Sequence, residues 1–210
     1  MFETTAVAMA RPARHDRRGP GAPLFALAVA LAALGPAAGG AEAEDPSLEL
    51  SVKAAYVYNF TRFVSWPADS PLSNAAAFFI GVLDDEPLAA AVETAVRGRT
   101  FGGRPFVVRR FPTADDVVPC PVLYVGRRQA GNLARVRTIL RGWPVLTVSD
   151  AEGFASRGGV IGLFLEDRRI RFEVAAAAAR AAGLGVSSKL LRLSRPEPCP
   201  SCTLGARGER

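Results

Sequence analysis

The chain predicts an α/β fold: a single three-layer domain with a mainly parallel sheet and a C-terminal antiparallel hairpin at its edge. Three observations lead there. With 210 residues, the chain has the size of one ordinary domain plus appendages. Short apolar runs of strand length alternate with helical spacing in the order α, β, α, β, β, α, β, which builds a parallel sheet covered on both faces. Near the end, Val160-Ile-Gly-Leu-Phe-Leu165 and Ile170-Arg-Phe-Glu-Val174 flank a turn at 166–169, and the second run alternates apolar and charged residues. That is the pattern of a half-buried hairpin at a sheet edge.

The N-terminus stands outside this domain. Arg11, Arg14, Arg17 and Arg18 precede an apolar run at 24–34, which Gly35-Pro36 breaks, and small residues follow to Ala43. This order predicts a cleavable secretory signal peptide over residues 1–43, with the cut after Gly40 or after Ala43. The run falls short of the ~20 apolar residues that span a bilayer. No cysteine lies near either cut, which argues against a lipoprotein.

The domain is then expected over 44–194, after a polar lead-in at 44–51. Val52, Tyr56, Phe60 and Phe63 share one helical face, with Val57 and Val64 widening it and Lys53, Thr61 and Arg62 on the wet side. Trp66-Pro67 is expected to stop this helix, because a residue before proline resists the helical region. Asn59 is the odd polar residue in the aromatic helix; it either caps a backbone group internally, the reading favoured here, or faces a small ligand.

A first strand follows at 77–83, and a helix at 87–96 with Pro87 in its first turn and Gly98 beyond its end. Strands are expected at 106–111 and 122–125, joined by a stretch short for a helical crossover and better suited to a tight turn. A helix capped by Asn132 leads to a strand at 145–148. After the hairpin, residues 175–182 form an alanine-rich helix stopped by Gly183. Residues 186–193 suit either a short helix or a strand. From Arg195 to residue 210, proline, glycine and arginine predict a flexible tail.

Composition excludes several chemistries. The chain's one histidine, His15, lies inside the expected signal peptide. The mature protein therefore lacks Ser-His-Asp and Cys-His nucleophile chemistry and imidazole-based zinc sites. Nothing in the pattern requires a catalytic residue, a metal or a cofactor. The formal net charge is +6, but the arginines are scattered, and an exported protein meets no nucleic acid. Cys199 and Cys202 have redox-motif spacing but lie in the tail, where a local disulfide or a thiol pair is the plainer reading. Cys120 is the third cysteine.

In open α/β sheets, ligand groups gather at the carboxyl ends of the strands. Asp84-Asp85, Gly126-Arg127-Arg128 and Ser149-Asp150 are expected there, which makes Asp84 and Asp150 candidate contacts for a ligand or partner. A phospho-receiver site would need an aspartate where Gly126 stands. Glu166, Asp167 and Glu173 could resemble a glycosidase pair, but ordinary surface charge explains them.

Four blocks carry a resemblance. They are Lys53-Ala-Ala-Tyr-Val-Tyr-Asn-Phe60 with Phe63 and Trp66-Pro67; Ile80-Gly-Val-Leu-Asp-Asp85; Val145-Leu-Thr-Val-Ser-Asp150 with Gly153-Phe154; and Gly159 onward with Leu165-Glu166, Arg171-Phe-Glu173 and Ser187-Ser-Lys-Leu-Leu191. In order and spacing they resemble the YfiR family, a DUF4154 domain, across 52–194. The chain departs from that pattern at Gly162 and in its alanine-rich helix. The resemblance implies a periplasmic homodimer that binds the sensor domain of an inner-membrane diguanylate cyclase. Repression of the cyclase would lower cyclic-di-GMP signalling and biofilm formation. An outer-membrane lipoprotein would sequester the repressor. Asn59, Trp66, Glu166, Arg171, Glu173 and Lys189 join Asp84 and Asp150 as candidate contacts, and Cys120 sits where a family cysteine does. A periplasmic small-molecule sensor is the alternative.

Overall fold

The computed structural model describes residues 46–195. Its elements are α1 (Pro46–Phe60), β1 (Val64–Ser65), β2 (Phe78–Leu83), α2 (Glu86–Val96), β3 (Thr100–Phe101), β4 (Arg104–Phe111) and β5 (Val122–Val125). After them come α3 (Leu133–Ile139), β6 (Leu146–Ser149), β7 (Ile161–Glu166), β8 (Arg169–Val174), α4 (Ala176–Ala181), β9 (Gly185–Val186) and α5 (Ser188–Leu193). The expected signal peptide, Cys199 and Cys202 lie outside the described residues.

Seven strands form one sheet in the order β3-β4-β2-β5-β6-β7-β8. Neighbours from β4 to β7 run parallel. β3 lies antiparallel to β4, and β7 and β8 form the antiparallel hairpin at the opposite edge. The fold class is therefore the α/β class read from the sequence. A separate ribbon pairs β1 with β9.

Two apolar clusters occupy the two faces of the sheet. Phe78, Ile80 and Val82 of β2 and Val122 and Tyr124 of β5 join α1 and α2 residues such as Val57, Phe60, Leu88 and Val92. Leu83, Leu123 and Val125 point the other way, towards Leu133 and Val136 of α3 and Phe154. The period-two alternation of a strand sends successive residues to opposite layers. Side chains of this size each contribute ~1.5–3 kcal/mol when fully buried.

α1 differs from its expected form. It begins at Pro46, because proline is suited to the first turn and Glu49 stands one turn before Lys53. It ends at Phe60, where three successive i to i+3 bonds tighten the chain: Thr61 N–H to Tyr58 O, Arg62 N–H to Asn59 O and Phe63 N–H to Phe60 O. Its buried stripe is Lys53, Ala54, Val57 and Phe60. Lys53 and Thr61 are thus buried and not on the wet side, and Asn59 is exposed and not an internal cap.

Trp66 does not end the helix. It anchors the segment after β1, donating its indole N–H to Pro121 O at 3.0 Å and packing edge-on to Phe78 and Phe101. Asn132 does not cap α3 with its side chain; it closes a 3-10 segment over Arg127–Asn132 and donates to Gln129 Oε1. The β4–β5 connection holds a single 3-10 turn at Ala114–Asp116, as its length suggested. The ambiguous stretch at 186–193 is both things, ending β9 and then forming α5, which Ser187 caps through Leu190 N–H. Arg195 is fixed rather than part of a tail: its N–H donates to Phe172 O at 2.9 Å.

Candidate functional site

The topology creates one place where the chain diverges. From β2 the chain leaves through α2 on the face shared with α1; from β5 it leaves towards α3 on the opposite face. β2 and β5 are neighbours in the sheet, so a crevice opens at their carboxyl ends, the position where open α/β sheets place their ligands.

In this chain the crevice is closed by its own groups. Gly126 N–H donates to Leu83 O at 2.8 Å, and a Cβ at Gly126 would meet Leu83 O and Asp84 O at 2.7 Å. Only glycine lets the two strand ends approach so closely. Asp84 takes a left-handed φ of 54° and turns its carboxylate to Arg128. The guanidinium grips it with Nη2 at 2.6 Å from Oδ1 and Nε at 3.2 Å from Oδ2, and Gln129 adds a further bond. Hydrogen bonds from Arg128 and then Gln129 hold the Asp84 carboxyl below its ordinary value. Asp85 instead caps α2 through Leu88 N–H, and burial pushes its carboxyl up.

Asp150, at the end of β6, is the centre of a second cluster. Its Oδ2 receives Lys53 Nζ at 2.5 Å and Arg127 Nε at 2.8 Å, and Glu49 also lies 2.5 Å from Lys53. The Lys53 and Asp150 side chains are 11% and 6% exposed, so this is a buried pair that fastens α1 to the end of the sheet. Burial alone would raise the Asp150 carboxyl. The Lys53 ammonium, then the Tyr124 hydroxyl and the Arg127 guanidinium, outweigh it and bring the carboxyl below its usual range. Burial likewise opposes the charge on Lys53, but Asp150 and Glu49 together raise it. Tyr124 faces the same carboxylate, and burial, with that negative charge beside it, pushes the phenol far up. Among the described residues, Tyr124 Oη and Asp150 Oδ1 have no hydrogen-bond partner.

Asp150 also borders a cleft of about 1370 Å³ between the 151–158 loop, the hairpin and α4, which includes Arg127, Glu166 and Glu173 in its walls. Glu166 pairs with Arg195 and lies 3.8 Å from Arg171 Nε. Of the residues expected from the sequence, Asp150, Glu166 and Glu173 therefore share one cleft, and Asp84 sits at the adjoining strand end. Asn59, Trp66 and Lys189 lie elsewhere: Asn59 on the outer side of α1, Trp66 in the aromatic packing of β2, and Lys189 on α5 with its ammonium 5.9 Å from the centre of the Phe63 ring. Cys120 is fully buried and donates to Val122 O.

Arg127 and Arg128 were expected at the carboxyl ends of the strands and lie there; Lys53, Tyr124 and Arg195 complete the clusters and were not expected in them. One signal was present: Lys53 is one of only two lysines in an arginine-rich chain. Chemically, Asp84 and Asp150 are each held by cations that lower the carboxyl pKa, which suits a fixed electrostatic lock. Among the described residues, no three His, Cys, Asp or Glu side chains are grouped to hold a metal, and no helix is long and apolar enough to cross a membrane.

No curated protein matches the chain. A family model described as DUF4154, YfiR/HmsC-like, matches residues 50–195, which takes in both strand-end clusters, the hairpin and α5. The chain belongs to the YfiR/HmsC-like (DUF4154) family of periplasmic regulators of cyclic-di-GMP signalling.

Proposed function

We propose that the protein is exported by a cleavable signal peptide and works as a homodimeric repressor. It binds the periplasmic sensor domain of an inner-membrane diguanylate cyclase and lowers cyclic-di-GMP output and biofilm formation. The observation that carries this reading is the family match over 50–195. The strand ends support it: Asp84 and Asp150 are both engaged by arginine or lysine, so the groups best placed for acid–base work serve the fold. Repression requires that the protein bind the inactive state of the cyclase more tightly than the active one. An outer-membrane lipoprotein that sequesters the repressor would release the cyclase.

Deletion of the gene tests this. Cyclic-di-GMP and surface attachment should rise, and a plasmid copy should restore them. Unchanged cyclic-di-GMP in the deletion strain, with the cyclase expressed, would sink the proposal.

A second reading, a small-molecule sensor, draws on the cleft of about 1370 Å³ beside Asp150. A thermal-shift screen with periplasmic metabolites should then find a stabilising ligand; no shift with any compound removes it.

A further inference from the structure

One edge of the large sheet is closed only at its start. β3 pairs with the first residues of β4, Phe101 with Arg104 and Thr100 with Pro105. From Phe106 to Phe111, β4 is paired with β2 alone among the described residues. Asp84 N–H donates to Phe111 O, which fixes the residues of β4 that turn their backbone groups to β2. Successive residues of a strand alternate in this respect, so Phe106, Val108 and Arg110 turn their N–H and C=O groups outward. Pro105 stands at a position that turns towards β2 and therefore removes no outward donor. The outer side of β4 is an open row of donors and acceptors, the template that an added strand uses.

The side chains along this row differ between the two faces. Towards α2, Phe106 and Val108 are half-buried against the core, and Arg110 is paired with Glu86 and Glu93. On the other face Val107 is 39% exposed, and the exposed Arg109 lays its guanidinium 3.7 Å over the Phe79 ring. β4 contains three arginines and no acidic residue. Among the described residues, Arg99, Arg104 and Arg109 have no carboxylate partner: Arg99 lies over the Tyr58 ring, and Arg104 donates to Leu72 O and Ser73 O.

We infer that the outer edge of β4 is a docking site for an extended acidic segment of a partner protein, which adds a strand beside Phe106–Phe111. Period-two alternation sets the apolar residues of that segment beside Phe106 and Val108 and its acidic residues beside Arg109. Charge decides the occupant. A second copy continuing the sheet across a two-fold axis would set both Arg109 side chains on one face with no acid between them. The arginines that discourage self-pairing are the ones that attract an acidic strand. The inference goes beyond the proposed repression, which names no surface, and neither rests on the other.

The test uses the complete purified protein and a short capped peptide that alternates valine and glutamate, with a valine–lysine peptide as control. Amide hydrogen exchange is followed residue by residue by NMR. The acidic peptide should slow exchange at Phe106, Val108 and Arg110 about tenfold, because protection follows the unbound population. Added salt should weaken the effect, and Arg109→Glu should transfer it to the lysine peptide. Continued protection of the buried Cys120 from alkylation shows that the variant is folded. Unchanged exchange at the three amides with saturating acidic peptide would overturn the inference, and so would equal protection by both peptides. Protection that grows with protein concentration in the absence of peptide would assign the edge to a second copy and would equally overturn it.

Discussion

Lys53 occupies a position that a hydrophobic residue would fill in most helices of this kind. Its burial is offset by Asp150, and Arg127 shares the same carboxylate oxygen. Removing one member of a buried pair strands the other without a partner, which typically costs ~3–5 kcal/mol. Arg127 remains in Lys53→Met, so we expect a loss of about 3 kcal/mol, a large part of the ~5–15 kcal/mol that holds a domain together. Asp150→Asn should be similar, and the double variant should lose less than the sum of the two. The pH dependence follows from the direction of each shift. Asp150 has a folded pKa below its ordinary 3.8, so its contribution is complete above that value and fades as pH falls through the folded pKa. Lys53 has a folded pKa above its ordinary 10.5; its contribution is complete below that value and fades as pH rises through the folded pKa. Urea midpoints of the unaltered protein and Lys53→Met should therefore differ by a constant amount between about pH 5 and pH 10 and converge outside that window. Equal midpoints at neutral pH would show that the pair contributes nothing.

At the scale of elements, the hairpin is the clearest case of sequence and backbone in tension. Asp167 and Arg168 both take a left-handed φ, 48° and 59°, in the turn that joins β7 to β8. Such a turn matches the right-handed twist of its strands, but it favours Asn-Gly over Asp-Arg. Arg168→Gly should stabilise the protein by about 0.5–1 kcal/mol, because the backbone strain at that position is relieved. A rise in the urea midpoint with unchanged slope is the expected result, and a fall would show that contacts of the Arg168 side chain outweigh the strain. The same elements show what a sequence can carry. β2, β5 and β7 are apolar runs bounded by turn residues, and they were legible as strands. β1, β3 and β9 have two residues each, too few for any periodicity, and two of them exist only because distant segments meet as a ribbon. The helix α1 was legible but its phase was not. With Lys53 on the core side, the stripe of Lys53, Val57 and Phe60 hides behind the equally regular Val52, Tyr56, Phe60 and Phe63. Asp84 and Asp150 could be placed because strand ends gather functional groups. Arg127 and Arg128 could be placed there for the same reason, but Lys53 could not, since it and Asp150 are 97 positions apart.

For the whole molecule, the decisive feature is that both apolar clusters are built on the same strands. β2 and β5 send alternate residues to each face, so neither layer can come apart without exposing the back of the other. Cys120 reports on this arrangement. Its sulfur lies 2.8 Å from where a Cβ on Gly81 would stand, it is fully buried, and burial pushes its thiol up to about 12. It is inert in the folded state, because the thiolate is the reactive form and the site excludes solvent. If the two faces unfold as one unit, alkylation of Cys120 requires global unfolding. In a Cys199→Ser, Cys202→Ser background, the free energy of opening obtained from Cys120 labelling should equal that from urea denaturation, and Lys53→Met should lower both by the same amount. Labelling that is far faster than global unfolding allows, and indifferent to Lys53, would show that the layer around Cys120 opens on its own. The sheet would then be two halves joined in sequence but not in stability, and the lock on α1 would hold only one of them.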